Sequence, residues 1–125
     1  MLHILLPLAM MQAAPVPGQP APAQSDLKEP VVSLEQQTSL RCSAAFAIVA
    51  AEQGAEVSSA QSYPAMEARG KEFFVRSMAR VMDDAGLSRD QVAMMVNTHA
   101  QALVAEDAVD EAMPACLLLL DASGL

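Results

Sequence analysis

Two cysteines, Cys42 and Cys116, constrain the fold of this chain more than any other feature of its sequence. They are the only cysteines among its 125 residues, and each falls on the apolar face of a predicted helix. In an oxidising compartment, two such cysteines are explained more readily by a bridge than by free thiols. We therefore predict a Cys42–Cys116 disulfide that ties the last helix to the first. The alternative is two reduced cysteines that serve as small core residues.

The start of the chain bears on the compartment. An apolar run, "MLHILLPLAMM", is too short to cross a bilayer as a helix, and small residues and prolines follow it in "QAAPVPGQPAPAQ". This pattern is typical of a signal peptide, although no Lys or Arg precedes the apolar run. We predict export to the periplasm, with no membrane association after the signal peptide is removed. The alternative is a cytosolic protein with an apolar tail.

Composition divides the chain into three predicted parts: a signal peptide at 1–23, a disordered linker at 24–32 and a helical domain at 33–125. Residues 12–32 are rich in proline and small side chains, which cannot bury enough apolar surface to offset the entropy cost of ordering. We expect that stretch to be mobile and dispensable for folding.

Apolar residues recur at helical spacing through the predicted domain, and no alternating strand pattern of useful length is present. Ser33 and Gln36 have the spacing of a capping box, and Gly54 is placed to end the first helix. Pro64 suits the first position of the second helix, and Pro114 should kink or break the last. We predict an all-α fold, a small four-helix bundle. Its helices are expected at about 33–53, 64–85, 89–105 and 107–122.

Glycines and caps indicate where these helices approach and turn. Gly70 lies on the apolar face of the second helix, where the absence of a side chain would let a neighbour come close. In "DDAGLSRDQV", Gly86 can adopt the left-handed conformation that ends a helix. Ser88 and Gln91 can then form a second capping box, and Asp107 can cap the fourth helix. The pattern predicts a tight corner between the second and third helices.

This corner resembles the DNA-binding helix-turn-helix family over "MARVMDDAGLSRDQVAMMVN", residues 78–97. The resemblance implies that Arg89, Gln91 and Asn97 would face a major groove. Seven basic residues against fifteen acidic ones, a net charge of −8, oppose binding to a phosphate backbone. Acidic residues also flank the corner itself: Asp83, Asp84 and Asp90. We therefore predict no nucleic-acid partner and keep DNA binding as the alternative function.

In layout and alanine-rich composition, the chain also resembles small exported helical proteins of Gram-negative bacteria. That resemblance implies no function and no functional residues. Our hypothesis is a periplasmic helical domain that binds another protein or has a structural role.

Basic residues in the second helix suggest a possible partner surface. Arg69, Arg76 and Arg80 fall on one stripe, and such a stripe could bind carboxylates or an acidic partner. The alternative is a set of ordinary surface pairs on the same helix. In that alternative the acidic members are Glu72, Asp83 and Asp84.

His99 is the one histidine of the predicted domain and the basis of two less favoured hypotheses. With Met78, Met82 or Met95 it could hold copper(I), although methionines at helical spacing are far more often core residues. It could also serve as the general base of a small enzyme, with Ser88 or Ser123 as nucleophile, but no activating neighbour is visible. We expect no enzymatic activity, no catalytic or cofactor-binding residue and no metal site.

Overall fold

Four α-helices and one short 3₁₀ helix make up the fold in the computed structural model, which describes residues 32–125. The helices are α1 (Leu34–Gly54), a 3₁₀ helix (Ser58–Ser62), α2 (Glu67–Ala85), α3 (Arg89–Ala105) and α4 (Val109–Ala122). No strand occurs within that range, so the predicted all-α four-helix bundle is confirmed there. The predicted signal peptide, and the linker up to residue 31, lie outside the described residues. Val32, assigned to the linker above, is buried in the core.

Helix α1 is the centre of the bundle, because α2, α3 and α4 all pack against it. Phe46 on this helix is fully buried, and its ring meets the ring of Phe73 edge-on at a centroid distance of 5.2 Å. Gly70 lies where α2 crosses α1: a β-carbon added there would be 3.1 Å from the Phe46 β-carbon. The predicted close approach is confirmed, since even an added methyl group would require Phe46 to shift by a few tenths of an ångström.

The connection from α1 to α2 differs from the prediction. Helix α2 begins at Glu67 rather than at Pro64. One side chain on α1 explains this difference: the Gln53 amide nitrogen donates to the carbonyl oxygens of Ala60 (3.1 Å), Tyr63 (3.3 Å) and Pro64 (2.9 Å). Its amide oxygen accepts from the Met66 backbone N–H at 3.0 Å. Because this amide satisfies backbone groups that precede α2, the chain is extended at Tyr63 and stays outside the helix through Pro64.

The corner between α2 and α3 has the predicted geometry. Gly86 ends α2 in the left-handed conformation, with φ of 65°. Ser88 begins α3 as part of a complete capping box: its hydroxyl accepts from the Gln91 N–H, and the Gln91 side chain accepts from the Ser88 N–H at 2.8 Å. Ser33 and Gln36 form the same box at the start of α1. Both predicted capping boxes are confirmed.

Helix α4 departs from the prediction at its start. It begins at Val109, after Ala108 as N-cap, and no side chain caps it. Asp107, the predicted cap, instead has a positive φ of 50° and turns the chain into the helix. The helix is continuous through Pro114, so no break occurs. Pro114 removes one amide donor, and its ring is exposed to solvent while neighbouring turns bury Met113 and Leu120.

The predicted disulfide is present in the structure. Cys42 and Cys116 are joined with Cα atoms 5.2 Å apart, and their separation in the sequence is 74 positions. Both residues are almost completely buried, each 3% exposed. The bridge therefore lies inside the contact between α1 and α4.

Candidate functional site

A groove of about 490 Å³, which we call the α2–α4 groove, is the candidate site. The first turns of α1, the second half of α2 and the end of α4 contribute its walls. Its lining residues are Ser33, Glu35, Gln36, Ser39, Phe73, Arg76, Ser77, Arg80, Val81, Asp84, Leu119, Ala122, Ser123 and Leu125. A volume of this order is within the range of sites that bind ligands or peptide segments.

Two of the three arginines of the predicted stripe line this groove. Arg76 and Arg80 are one helical turn apart on α2, so both point toward the same side of that helix. Arg76 approaches Glu72 only at 4.0 Å, and both side chains are more than 60% exposed. Arg80 has no carboxylate within 4.0 Å among residues 32–125. The pairs of Arg80 with Asp83 and Asp84 that the alternative interpretation called for are thus absent from the structure, and all three side chains are exposed.

Arg69, the third arginine, has a different role. Its guanidinium donates to the Asp121 carboxylate at 3.1 Å and to the Leu125 carbonyl oxygen at 2.6 Å and 3.2 Å. These contacts hold the end of α4 against α2 and use three of the five N–H donors of the guanidinium. The structure therefore divides the predicted surface: Arg76 and Arg80 line the groove, and Arg69 fastens one of its walls.

The groove has an apolar floor and polar edges. Phe73 and Val81 lie at its base and are 5% and 1% exposed. The half-exposed Leu119 and Leu125 contribute the α4 side. Two carboxylates, Glu35 and Asp84, also line it, so the local charges are two positive and two negative. Within a chain of net charge −8, this is a comparatively basic surface.

Two serines of the groove were not singled out by the sequence. Ser39 on α1 and Ser77 on α2 are half-exposed and line the groove. A polar residue next to an apolar face is common on any helix, so the sequence held no signal for them. The packing of α1, α2 and α4 places both side chains in the groove.

A second depression of about 300 Å³ lies over the crossing of α1 and α2. Its walls are almost entirely apolar, with Phe46, Met66, Gly70 and Phe74 among the lining residues. It offers few polar groups that could orient a ligand.

His99, the candidate general base, is half-buried on α3. Burial lowers its pKa below the ordinary value of 6.5, and the positive charge of Arg41 lowers it further. The two serines proposed as nucleophiles are engaged locally. Ser88 caps α3, and the Ser123 hydroxyl donates to the Leu120 carbonyl oxygen at 2.5 Å.

The methionines that could have joined His99 in a copper site pack against the hydrophobic core. They are Met78, Met82 and Met95. No group of three or more His, Cys, Asp or Glu side chains that could hold a metal ion lies within residues 32–125.

The residues that the helix-turn-helix resemblance points to are exposed at the corner. Arg89 and Asn97 lie on the surface of α3, whereas the Gln91 side chain is engaged in the capping box. Asp83, Asp84 and Asp90 are exposed at the same corner. A phosphate backbone at this surface would therefore meet negative charge.

In comparisons with known proteins, no family model, curated protein or solved structure matches the chain. None of the helices between residues 32 and 125 combines the length and apolar character needed to cross a membrane.

Proposed function

We propose that this protein is an exported helical domain that acts in the periplasm by binding another protein. The apolar leader and the small residues after it support export. A buried disulfide is compatible with an oxidising compartment, because cytosolic disulfides are rare. A groove with an apolar floor and charged edges in the described part of the chain supports a binding activity.

One observation carries the protein-binding role: the α2–α4 groove combines an apolar floor with two arginines that have few competing partners. Arg80 has no carboxylate within 4.0 Å in the described residues, and Arg76 has one at the limit of an ion pair. Apolar surface supplies affinity, and charged groups at its edge give specificity. A purely structural role would not require such a surface.

The experiment has two steps. Fractionation of cells that express the native gene tests export, and recovery in the cytoplasm would contradict the proposal. Photoreactive amino acids are then placed singly at Ser77, inside the groove, and at Met94, which is 72% exposed on α3. We expect a reproducible crosslink to one identified periplasmic protein. If neither position yields such a partner, the binding role is wrong.

DNA binding is the second candidate, favoured by the geometry of the α2–α3 corner alone. We predict that the protein has no sequence-specific affinity for duplex DNA, because acidic residues surround this corner and phosphate contacts normally supply much of the affinity. Selection of binding sites from random duplexes tests this prediction. Nanomolar, salt-sensitive binding to a selected site would establish the alternative.

A further inference from the structure

The spacing of Arg76 and Arg80 carries an inference about what the groove binds. Residues four apart on a helix have β-carbons about 5–6 Å apart. In an extended chain, which rises about 3.3 Å per residue, side chains two positions apart lie on the same side and are separated by about 6.6 Å. Two acidic residues at alternate positions of an extended segment therefore match the two guanidinium groups.

The α4 side of the groove indicates which kind of residue should lie between the two acidic residues of the bound segment. In an extended chain the intervening side chain points away from its neighbours. With the two carboxylates directed toward α2, that side chain would face the α4 wall, where Leu119 and Leu125 are half-exposed. An apolar side chain at this position would bury apolar surface on both partners.

Polar groups at the groove suit the backbone of such a segment. Ser39 and Ser77 can donate or accept hydrogen bonds, and the carboxylates of Glu35 and Asp84 can accept them. An extended segment leaves backbone N–H and C=O groups unpaired, and these groups need partners when they leave water. The two carboxylates would also disfavour a uniformly acidic segment.

We propose that the α2–α4 groove binds an extended segment of a partner protein in which an apolar residue lies between two acidic residues. The inference rests on the proposed protein-binding function. Charge complementarity favours a partner over the chain's own residues 24–31. The acidic residues there, Asp26 and Glu29, are three positions apart and would fall on opposite sides of an extended strand.

The test uses three blocked eight-residue peptides that differ only in their central tripeptide, which is Glu-Leu-Glu, Gln-Leu-Gln or Lys-Leu-Lys. Each peptide is titrated into the isotope-labelled protein and followed by amide chemical shifts. We expect the Glu-Leu-Glu peptide to shift Ser39, Ser77 and Leu119. It should bind about tenfold more tightly than the Gln-Leu-Gln peptide, a preference that added salt weakens.

Variants assign the effect to the two arginines. Arg76→Gln combined with Arg80→Gln should reduce the affinity for the Glu-Leu-Glu peptide to that for the Gln-Leu-Gln peptide. Arg89→Gln, at an exposed position on α3, is the matched control and should leave the affinity unchanged. Because all three positions are on the surface, thermal melts should confirm that both variants fold.

Several results would overturn the inference. The inference is wrong if the three peptides bind equally or if none of them binds. It is also wrong if the chemical-shift changes map outside the groove. Shifts at the groove caused by Asp26→Asn with Glu29→Gln would identify the chain's own segment as the occupant. Concentration-dependent shifts without peptide would identify a second copy. If the peptides fail while the photoreactive residues still crosslink one periplasmic partner, the protein-binding function stands and this inference alone is wrong.

Discussion

The α2–α3 corner and helix α4 are held in place in opposite ways. At the corner, the groups that cap the helices are close neighbours in the sequence: Gly86 ends one helix, and Ser88 and Gln91 begin the next. Helix α4 has no side-chain cap and contains a proline. It is fastened instead by residues far away along the chain.

Three long-range links hold α4, one at each end and one in the middle. At its start, the Tyr63 hydroxyl donates to the Asp110 carboxylate, across 47 positions of sequence. Near its middle, Cys116 is bonded to Cys42. At its end, Arg69 donates to Asp121 and to the Leu125 carbonyl oxygen. Arg69 and Asp121 are 52 positions apart in the sequence. A helix that its own sequence stabilises weakly is thus positioned by tertiary contacts, which is where most helical stability originates.

Of the three long-range links to α4, the disulfide should contribute most to stability. Replacing both cysteines, Cys42→Ala with Cys116→Ala, removes a crosslink that closes a loop of about 75 residues, for which chain entropy gives an upper figure of about 4.5 kcal/mol. We expect a loss approaching that figure in the free energy of unfolding by denaturant. In native-state hydrogen exchange, amides of α4 should lose more protection than amides of the corner.

A chemical control accompanies this variant. Alkylation of the wild-type protein under denaturing conditions, followed by intact mass, should modify neither cysteine before reduction and both after it. Alkylation of both without reductant would show that the bridge is absent. If the double variant is too unstable to fold, the wild-type protein should lose its thermal transition when reductant is added, since the bridge is comparable with the net stability of many domains.

Gln53 extends the comparison to the α1–α2 connection, which is also held by a remote side chain. Gln53→Ala leaves the N–H of buried Met66 without its partner. It also removes one of the two donors to the carbonyl of buried Ala60, which keeps the Tyr63 N–H at 3.3 Å. We expect a loss of about 2 kcal/mol in the free energy of unfolding. Gln61→Ala is the matched control, because Gln61 is exposed and its bonds are longer, 3.2 Å and 3.5 Å. Equal losses in the two variants would contradict the role assigned to Gln53.

The same contrast explains how much the sequence could predict. Corner geometry depends on residues within a few positions, so Gly86 and Ser88 could be interpreted correctly without knowing any tertiary contact. The disulfide was also predictable, because with two cysteines only one pairing is available. The start of α2 was not, because propensity favours a helix at Pro64 and a side chain eleven positions earlier, Gln53, overrides it.

For the candidate site, the sequence identified the three arginines. It did not indicate that Arg76 and Arg80 line the groove whereas Arg69 binds the end of α4. All three lie on α2, and only the packing of α4 determines that Arg69 meets Asp121. The groove itself is formed by three helices at once, so no local pattern contains it. Ser39 and Leu119 became groove residues through tertiary placement alone.

Removal of a cap should have a smaller and more local effect at the corner. Ser88→Ala deletes the oxygen that accepts the Gln91 N–H, and we expect a loss of about 1 kcal/mol in the free energy of unfolding. Ser33→Ala removes the same contact from the other capping box and is the matched control. If caps act locally, the two losses should agree within about 0.5 kcal/mol, the tolerance for independent surface sites. A much greater loss for Ser88→Ala would mean that the corner depends on distant contacts after all.

The smallest effect concerns the link between Tyr63 and Asp110 at the start of α4. The hydrogen bond to the Asp110 carboxylate, then burial, and then the charges of Asp110 and Glu52 raise the pKa of Tyr63 from 10.0 to about 12. Because the folded pKa is the higher one, the contribution of this link to stability is complete below pH 10.0 and is lost as the pH rises toward 12. The contribution should be below about 1 kcal/mol, since the bond is exposed to solvent.

Tyr63 is the only tyrosine, and the chain has no tryptophan, so the absorbance of the phenolate reports this one group. We expect it to titrate near pH 12 in the wild-type protein and closer to 10 in the Asp110→Asn variant, which keeps an acceptor oxygen but loses the charge. Glu52→Gln is the control and should lower the pKa less, because Glu52 is the weakest of the four causes. Circular dichroism at each pH separates titration of the folded protein from unfolding. Identical titration of wild type and Asp110→Asn, with both still folded, would show that Tyr63 does not hold the start of α4 in solution. Of the three links, the disulfide and Arg69 would then remain.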